Sequence, residues 1–134
     1  MANSLVYKGF KDLDCWKKGR ELRMKIFVLT KQFPVEEKYM LTSQIIRSSR
    51  SVTNNIAEGY GRYTYTDTRH YFIQARGSVT ETIDHLSIAF HDKHIDAIQL
   101  KELETLCETV FKLINGYISY LDRQKTTPNP NPNP

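Results

Sequence analysis

Between Ser43 and Gly59 the chain carries two helical stripes at once, and any fold it adopts has to give both of them a partner. Leu41, Ile45, Ser48, Val52 and Ile56 recur at three- and four-residue steps, an apolar-to-small face that must meet a core. Gln44, Arg47, Ser51, Asn55 and Glu58 repeat those steps on an adjacent face that is wholly polar. Solvation gives no reason to align hydrogen-bonding groups so regularly. The second stripe is therefore expected to meet another helix, in the same chain or in a copy of it. Gly59 is expected to end the helix in the left-handed conformation, which glycine adopts without a Cβ penalty.

Three more helices frame this one. After a short lead, with Phe10 and Leu13 tucked onto the body and Asp12 or Asp14 as N-cap, Cys15, Gly19, Leu22, Ile26, Leu29 and Phe33 mark the core face of a first helix ending at Phe33-Pro34. Met24, Phe27 and Val28 lie on its back, among Lys17, Lys18, Arg20 and Lys25, and suggest a second packed surface. Pro34 is placed in the first turn of helix two, with Glu36 and Glu37 complementing the dipole. After a Gly- and Tyr-rich link, Thr66 or Asp67 should cap helix three, which buries Phe72, Ala75, Val79, Ile83, Leu86 and Phe90 and turns His70, Gln74, Gly77, Ser78, Glu81 and His85 to the opposite side. The short link makes helices two and three antiparallel, so positions summing to about 125 should lie level, Arg47 opposite Ser78 and Gln44 opposite Glu81.

Asp96 and Gln99 form a capping box for helix four, whose Leu100, Leu103, Cys107, Val110, Ile114, Tyr117 and Leu121 follow a heptad-like seam. Leu106, Phe111, Leu113, Ile118 and Tyr120 widen its apolar arc beyond what one seam needs. The pattern predicts an all-α, up-down-up-down antiparallel four-helix bundle over residues 1–125 that assembles with copies of itself. The Pro-Asn repeats of residues 126–134 are expected to form a flexible tail outside the fold.

Charge is uneven along the chain. Residues 1–76 hold 14 Lys/Arg against 7 Asp/Glu, a net +7, whereas residues 77–134 hold 5 against 8, a net −3. This asymmetry suits a polyanionic partner, or subunits that join basic surface to acidic. Lys17, Lys18, Arg20, Arg23, Lys25, Arg50, Arg62 and Arg69 are the candidate phosphate contacts, and Tyr60, Tyr63 and Tyr65 the candidate stacking faces for nucleic acid. Gln44, Arg47, Asn55, Glu58, Arg76, Ser78 and Glu81 are the candidate network that sets assembly register, with Arg47 and Arg76 expected to find Glu58 or Glu81.

Signals for catalysis are missing. There is no glycine-rich phosphate loop, no nucleophile elbow, and no arginine followed four to six residues later by histidine as in some all-helical ribonucleases. His91 and His94, with Asp92 and Asp96 nearby, form a conceivable divalent-metal cluster, but solvated or capping roles are favoured because no Glu-x-x-His pair accompanies them. Cys15 and Cys107 fall on buried stripes and are read as reduced, small hydrophobes. No apolar run is long enough to span a membrane and no signal-peptide pattern is present, so the expected setting is the cytoplasm, with no cofactor and no enzymatic activity.

Phe10…Leu13…Trp16, Phe33-Pro34-Val35-Glu36-Glu37, Leu41-Thr42-Ser43-Gln44…Arg47, Asn55-Ile56-Ala57-Glu58-Gly59 and Ala75-Arg76-Gly77-Ser78-Val79-Thr80-Glu81, in this order and spacing, resemble the bacterial four-helix-bundle proteins encoded in intervening sequences of 23S ribosomal RNA genes. The likeness runs over roughly residues 8–123. It departs from the family at Thr53, where proline is frequent, and in the Pro-Asn tail. The resemblance implies a ring-like homopentamer with no established enzymatic activity and ribosomal RNA or another nucleic acid as partner. Through a distant relative, the accessory protein of diversity-generating retroelements, it also implies a reverse transcriptase as an alternative partner.

Overall fold

The computed structural model describes residues 9–125; the expected tail at 126–134 lies outside them. Four α-helices make up the body: α1 (Asp14–Leu29), α2 (Leu41–Tyr60), α3 (Tyr65–His91) and α4 (Ala97–Arg123), with short 3-10 turns at Phe10–Asp12, Thr30–Gln32 and Val35–Glu37. Consecutive helices pack on one another, and α1 closes the bundle against α4. The core follows the predicted stripes. Leu22 and Ile26 of α1, Ile45, Val52 and Ile56 of α2, Phe72, Val79 and Leu86 of α3, and Val110, Ile114 and Leu121 of α4 are fully buried. Each such side chain contributes about 1.5–3 kcal/mol relative to exposure. Among the described residues no helix is long and apolar enough to cross a membrane.

The α2–α3 seam is the most extensive, and its centre is polar. Ser48 and Thr82, both fully buried, share a hydrogen bond of 2.8 Å; the Thr82 hydroxyl donates to the Ser78 carbonyl at 2.9 Å and accepts from Ser48, whose hydroxyl also lies 3.3 Å from the Ile45 carbonyl. Ser51 meets Ser78 at 2.9 Å, and Arg47 pairs with Glu81. These pairs make the two helices antiparallel, but at sums of 128 to 130 rather than the expected 125, about one turn out of register. The first turn of α3 overhangs the end of α2, where Tyr65 and Arg69 reach Asp122 of α4.

Gly59 departs from expectation for a related reason. It is helical, α2 runs on to Tyr60, and no glycine among the described residues has a positive φ. A Cβ at Gly59 would lie 2.8 Å from Tyr71 Cβ and 3.0 Å from Phe72 Cδ1, so the residue is small to let α3 approach, not to turn the chain.

Helix starts also differ in detail. Pro34 is extended and leads into the 3-10 turn at Val35–Glu37, so it precedes α2 rather than opening it. Glu37 still serves the start of α2, by accepting from the Leu41 amide at 3.2 Å. Neither Asp12 nor Asp14 caps α1, whose N-cap is Leu13, and α3 is capped by the Thr64 hydroxyl, which accepts from the Asp67 amide, rather than by Thr66 or Asp67. The Asp96/Gln99 capping box of α4 is present as expected. In the last turn of α3, Ala89 takes the inward position, leaving Phe90 exposed, and Ile83 is only half-buried.

Candidate functional site

The amphipathic pattern of α1 turns Cys15, Gly19, Leu22 and Ile26 inward and sends its cations outward. One helical turn separates Trp16 from Arg20, and two separate it from Arg23. Their guanidinium carbons lie 5.4 and 5.8 Å from the centre of the Trp16 ring, which also meets the Phe10 ring in a T-shaped contact. Farther along α1, the Lys31 ammonium sits 4.1 Å from the Phe27 ring centre, and Arg50 reaches over from α2 to 5.8 Å from the same ring. Two aromatic rings thus carry four cations along the α1–α2 surface, at distances where cation–π attraction operates.

Among the described residues no carboxylate answers this charge. Among the described residues Lys17, Arg20, Arg23, Lys31 and Arg50 take part in no ion pair. Arg23 sits between Arg20 and Arg50; desolvation first, then the charges of these two neighbours, hold its pKa below the ordinary arginine value. Its Nη1 is shielded from solvent and has no hydrogen-bond partner. A shielded guanidinium N–H without an acceptor, beside two like charges, is a local deficit of negative charge.

The other candidate cations are answered. Lys18 pairs with Glu21 at 3.2 Å, Lys25 with Glu102 at 3.0 Å, and Arg69 with Asp122 at 2.8 Å. Arg62 pairs with Glu58 at 2.7 Å and donates to the Tyr71 hydroxyl at 2.7 Å. The tyrosine cluster is divided in the same way. Tyr60 is buried in the bundle, so its ring offers no free face, and the Tyr65 hydroxyl donates to Asp122 at 2.7 Å, a bond that raises its pKa. Only Tyr63 stands well exposed. For stacking faces the sequence reading turned to the 60–65 link; it passed over Trp16, Phe27 and Lys31, although the i, i+4 spacing of Trp16–Arg20 and Phe27–Lys31 was readable.

The polar stripe of α2 finds its partners inside the chain. Arg47 binds Gln44 and Glu81, Glu81 also receives His85 at 3.3 Å, and Asn55 donates back to Ser51. Glu58 goes to Arg62 rather than to Arg47 or Arg76, and Arg76 reaches Asn115 of α4 at 2.7 Å instead of a glutamate. The stripes of α2 and α3 therefore meet in one hairpin, with Gln44 and Arg47 on its exposed rim. Met24 and Val28 stand free on the back of α1, Phe27 less so. Cys15 and Cys107 are buried free thiols whose pKa values burial pushes up to about 12. Of the histidine cluster, His91 pairs with its neighbour Asp92, Asp96 is used as an N-cap, and His94 turns inward to Glu37.

The family model of the 23S rRNA-intervening sequence protein matches residues 11–116, which takes in all of α1 to α3 and most of α4. The chain belongs to this family. The fold is shared with a crystal structure from Bacteroides thetaiotaomicron, described as a protein with unknown function from the S23 ribosomal protein family. The two superpose with a TM-score of 0.73 over 78% of this chain and 95% of the other, at 24% identity. No curated protein matches the chain. The family match covers Lys17 to Arg50, and so the whole unanswered cation surface of this intervening sequence protein.

Proposed function

We propose that this family member is a cytoplasmic, non-catalytic scaffold, an up-down-up-down bundle that forms a ring-like homo-oligomer and binds structured RNA through the α1–α2 surface. The observation that carries the reading is the group of Arg20, Arg23 and Arg50, three guanidinium groups on one face with no carboxylate among the described residues to neutralise them. A phosphate backbone supplies the missing acceptors, and it relieves the repulsion among the three charges. The family's tie to 23S rRNA intervening sequences supports ribosomal RNA as that polyanion. Repetition of the patch around an oligomer would strengthen a modest contact through avidity.

Fluorescence anisotropy with a labelled, structured RNA tests the reading across a salt series. The full chain is expected to bind with a steep salt dependence. Replacing Arg20, Arg23 and Arg50 together with alanine should weaken binding more than tenfold and flatten the salt slope by about 2–3. Replacing Arg62 and Arg69 should do far less, because both already have carboxylate partners. A salt-independent response, or a triple variant that binds as the parent does, would overturn the proposal.

A further inference from the structure

Glu37, Asp92 and His94 come from two separated segments and converge at the end of the bundle where the α1–α2 connection meets the α3–α4 link. One ligating atom from each lies within 4.8 Å of the other two. His94 Nε2 and Glu37 Oε2 are 3.0 Å apart, and both side chains are largely shielded, at 14% and 17% exposure. Two ligands that each sit about 2.1 Å from a shared ion are roughly 3.0–3.4 Å apart, so this pair already has the spacing of a chelate. Asp92 is the exposed member: one carboxylate oxygen lies within 4.8 Å of the other two ligating atoms, and Oδ1 is 3.1 Å from His91 Nδ1.

The surroundings hold these groups in place. The His94 ring packs on Phe33, with ring centres 5.6 Å apart. The second oxygen of Glu37 accepts from the Leu41 amide, which orients the carboxylate as outer-shell hydrogen bonds orient metal ligands. Between Asp92 and His94, Lys93 has φ of 66°, the one positive φ among the described non-glycine residues. With the Lys93 amide bonded to Phe90 and the His94 amide to Ala89, this left-handed residue reverses the chain and turns His94 back toward Glu37. Glycine or asparagine would make the same turn with less strain.

We propose that Glu37, Asp92 and His94 form a binding site for one divalent transition ion of the Zn²⁺ or Mn²⁺ class. One imidazole and two carboxylates suit such ions, and the fourth position is left to solvent. The site is separate from the cation surface of α1 and α2, and its success or failure leaves the RNA reading untouched. It lies between the α1–α2 connection and the α3–α4 link, so an ion there would tie the two together.

Isothermal titration of the metal-free full chain with ZnCl₂ and with MnCl₂ tests the proposal, alongside Co²⁺ absorption as a report on ligand type. One ion per chain is expected, with a Co²⁺ spectrum that includes a nitrogen ligand. His94→Ala should lower affinity at least tenfold. Asp92→Asn should do the same, and because that side chain is exposed it keeps the fold intact even if His94→Ala does not. His91→Ala should bind as the parent does. Absence of binding to the parent, or binding that survives Asp92→Asn and His94→Ala but is lost in His91→Ala, would overturn the assignment.

Discussion

Replacing Gly59 with alanine should destabilise the bundle, although alanine is the better helix former. The added methyl would sit 2.8 Å from Tyr71 Cβ and 3.0–3.1 Å from two carbons of the Phe72 ring. Ordinary carbon–carbon contact is about 3.5–4.0 Å, so α2 and α3 would have to separate by roughly 0.7 Å or more at this level. The nearest obstacle is a Cβ, which cannot rotate away, and Phe72 is fully buried and stacked on Tyr117 with ring centres 4.6 Å apart. Overpacking of this kind costs about 1–3 kcal/mol, and the gain in helix propensity returns up to about 1 kcal/mol. A net loss on the order of 1–2 kcal/mol remains, or several degrees in melting temperature for a domain of this size. Gly116→Ala is the internal control. It lies inside α4 with nothing within 4 Å of a new Cβ, so it should stabilise by up to about 1 kcal/mol. Thermal melts followed by circular dichroism at one fixed protein concentration separate the two. If Gly59→Ala raised the melting temperature as Gly116→Ala does, the close approach of α2 and α3 would be wrong.

Two further outcomes are expected. Burial raises the Cys15 and Cys107 thiols to about 12, so at pH 8 both should react with a thiol reagent only after denaturant is added; rapid modification of the native chain would contradict their placement in the core. Val28 is 69% exposed, so Val28→Glu should leave the protomer folded while lowering the mass seen by light scattering; an unchanged mass would remove the back of α1 from any contact between copies.

Much of the fold was readable from periodicity because burial in a bundle repeats with the helix. The stripes through Leu22, Val52, Val79 and Val110 all point to the core, and the Asp96/Gln99 box is a local signal that no tertiary contact overrides. Apart from the N-caps of α1 and α3, the errors fell where backbone geometry depends on a distant partner. Gly59 resembles a helix stop in sequence, yet it is small because Tyr71 and Phe72 press on it. The α2–α3 register was missed by one turn because loop length alone does not say how far α3 overhangs α2.

The candidate site was legible only as a roll of cations. Lys25 and Glu102 are 77 residues apart, and Arg69 and Asp122 are 53 apart, so nothing local reveals that these charges cancel. The rotation of α1 and α2 about their axes decides that Arg20, Arg23 and Arg50 share a face while the acids lie elsewhere. By itself, then, the order of residues determined four amphipathic helices, their core faces and their family, since each of these depends on spacing along the chain. Tertiary structure decided which charges stay unanswered, and it brought Glu37 to His94, because pairing depends on distance in space and salt water screens Coulomb attraction beyond about 10 Å.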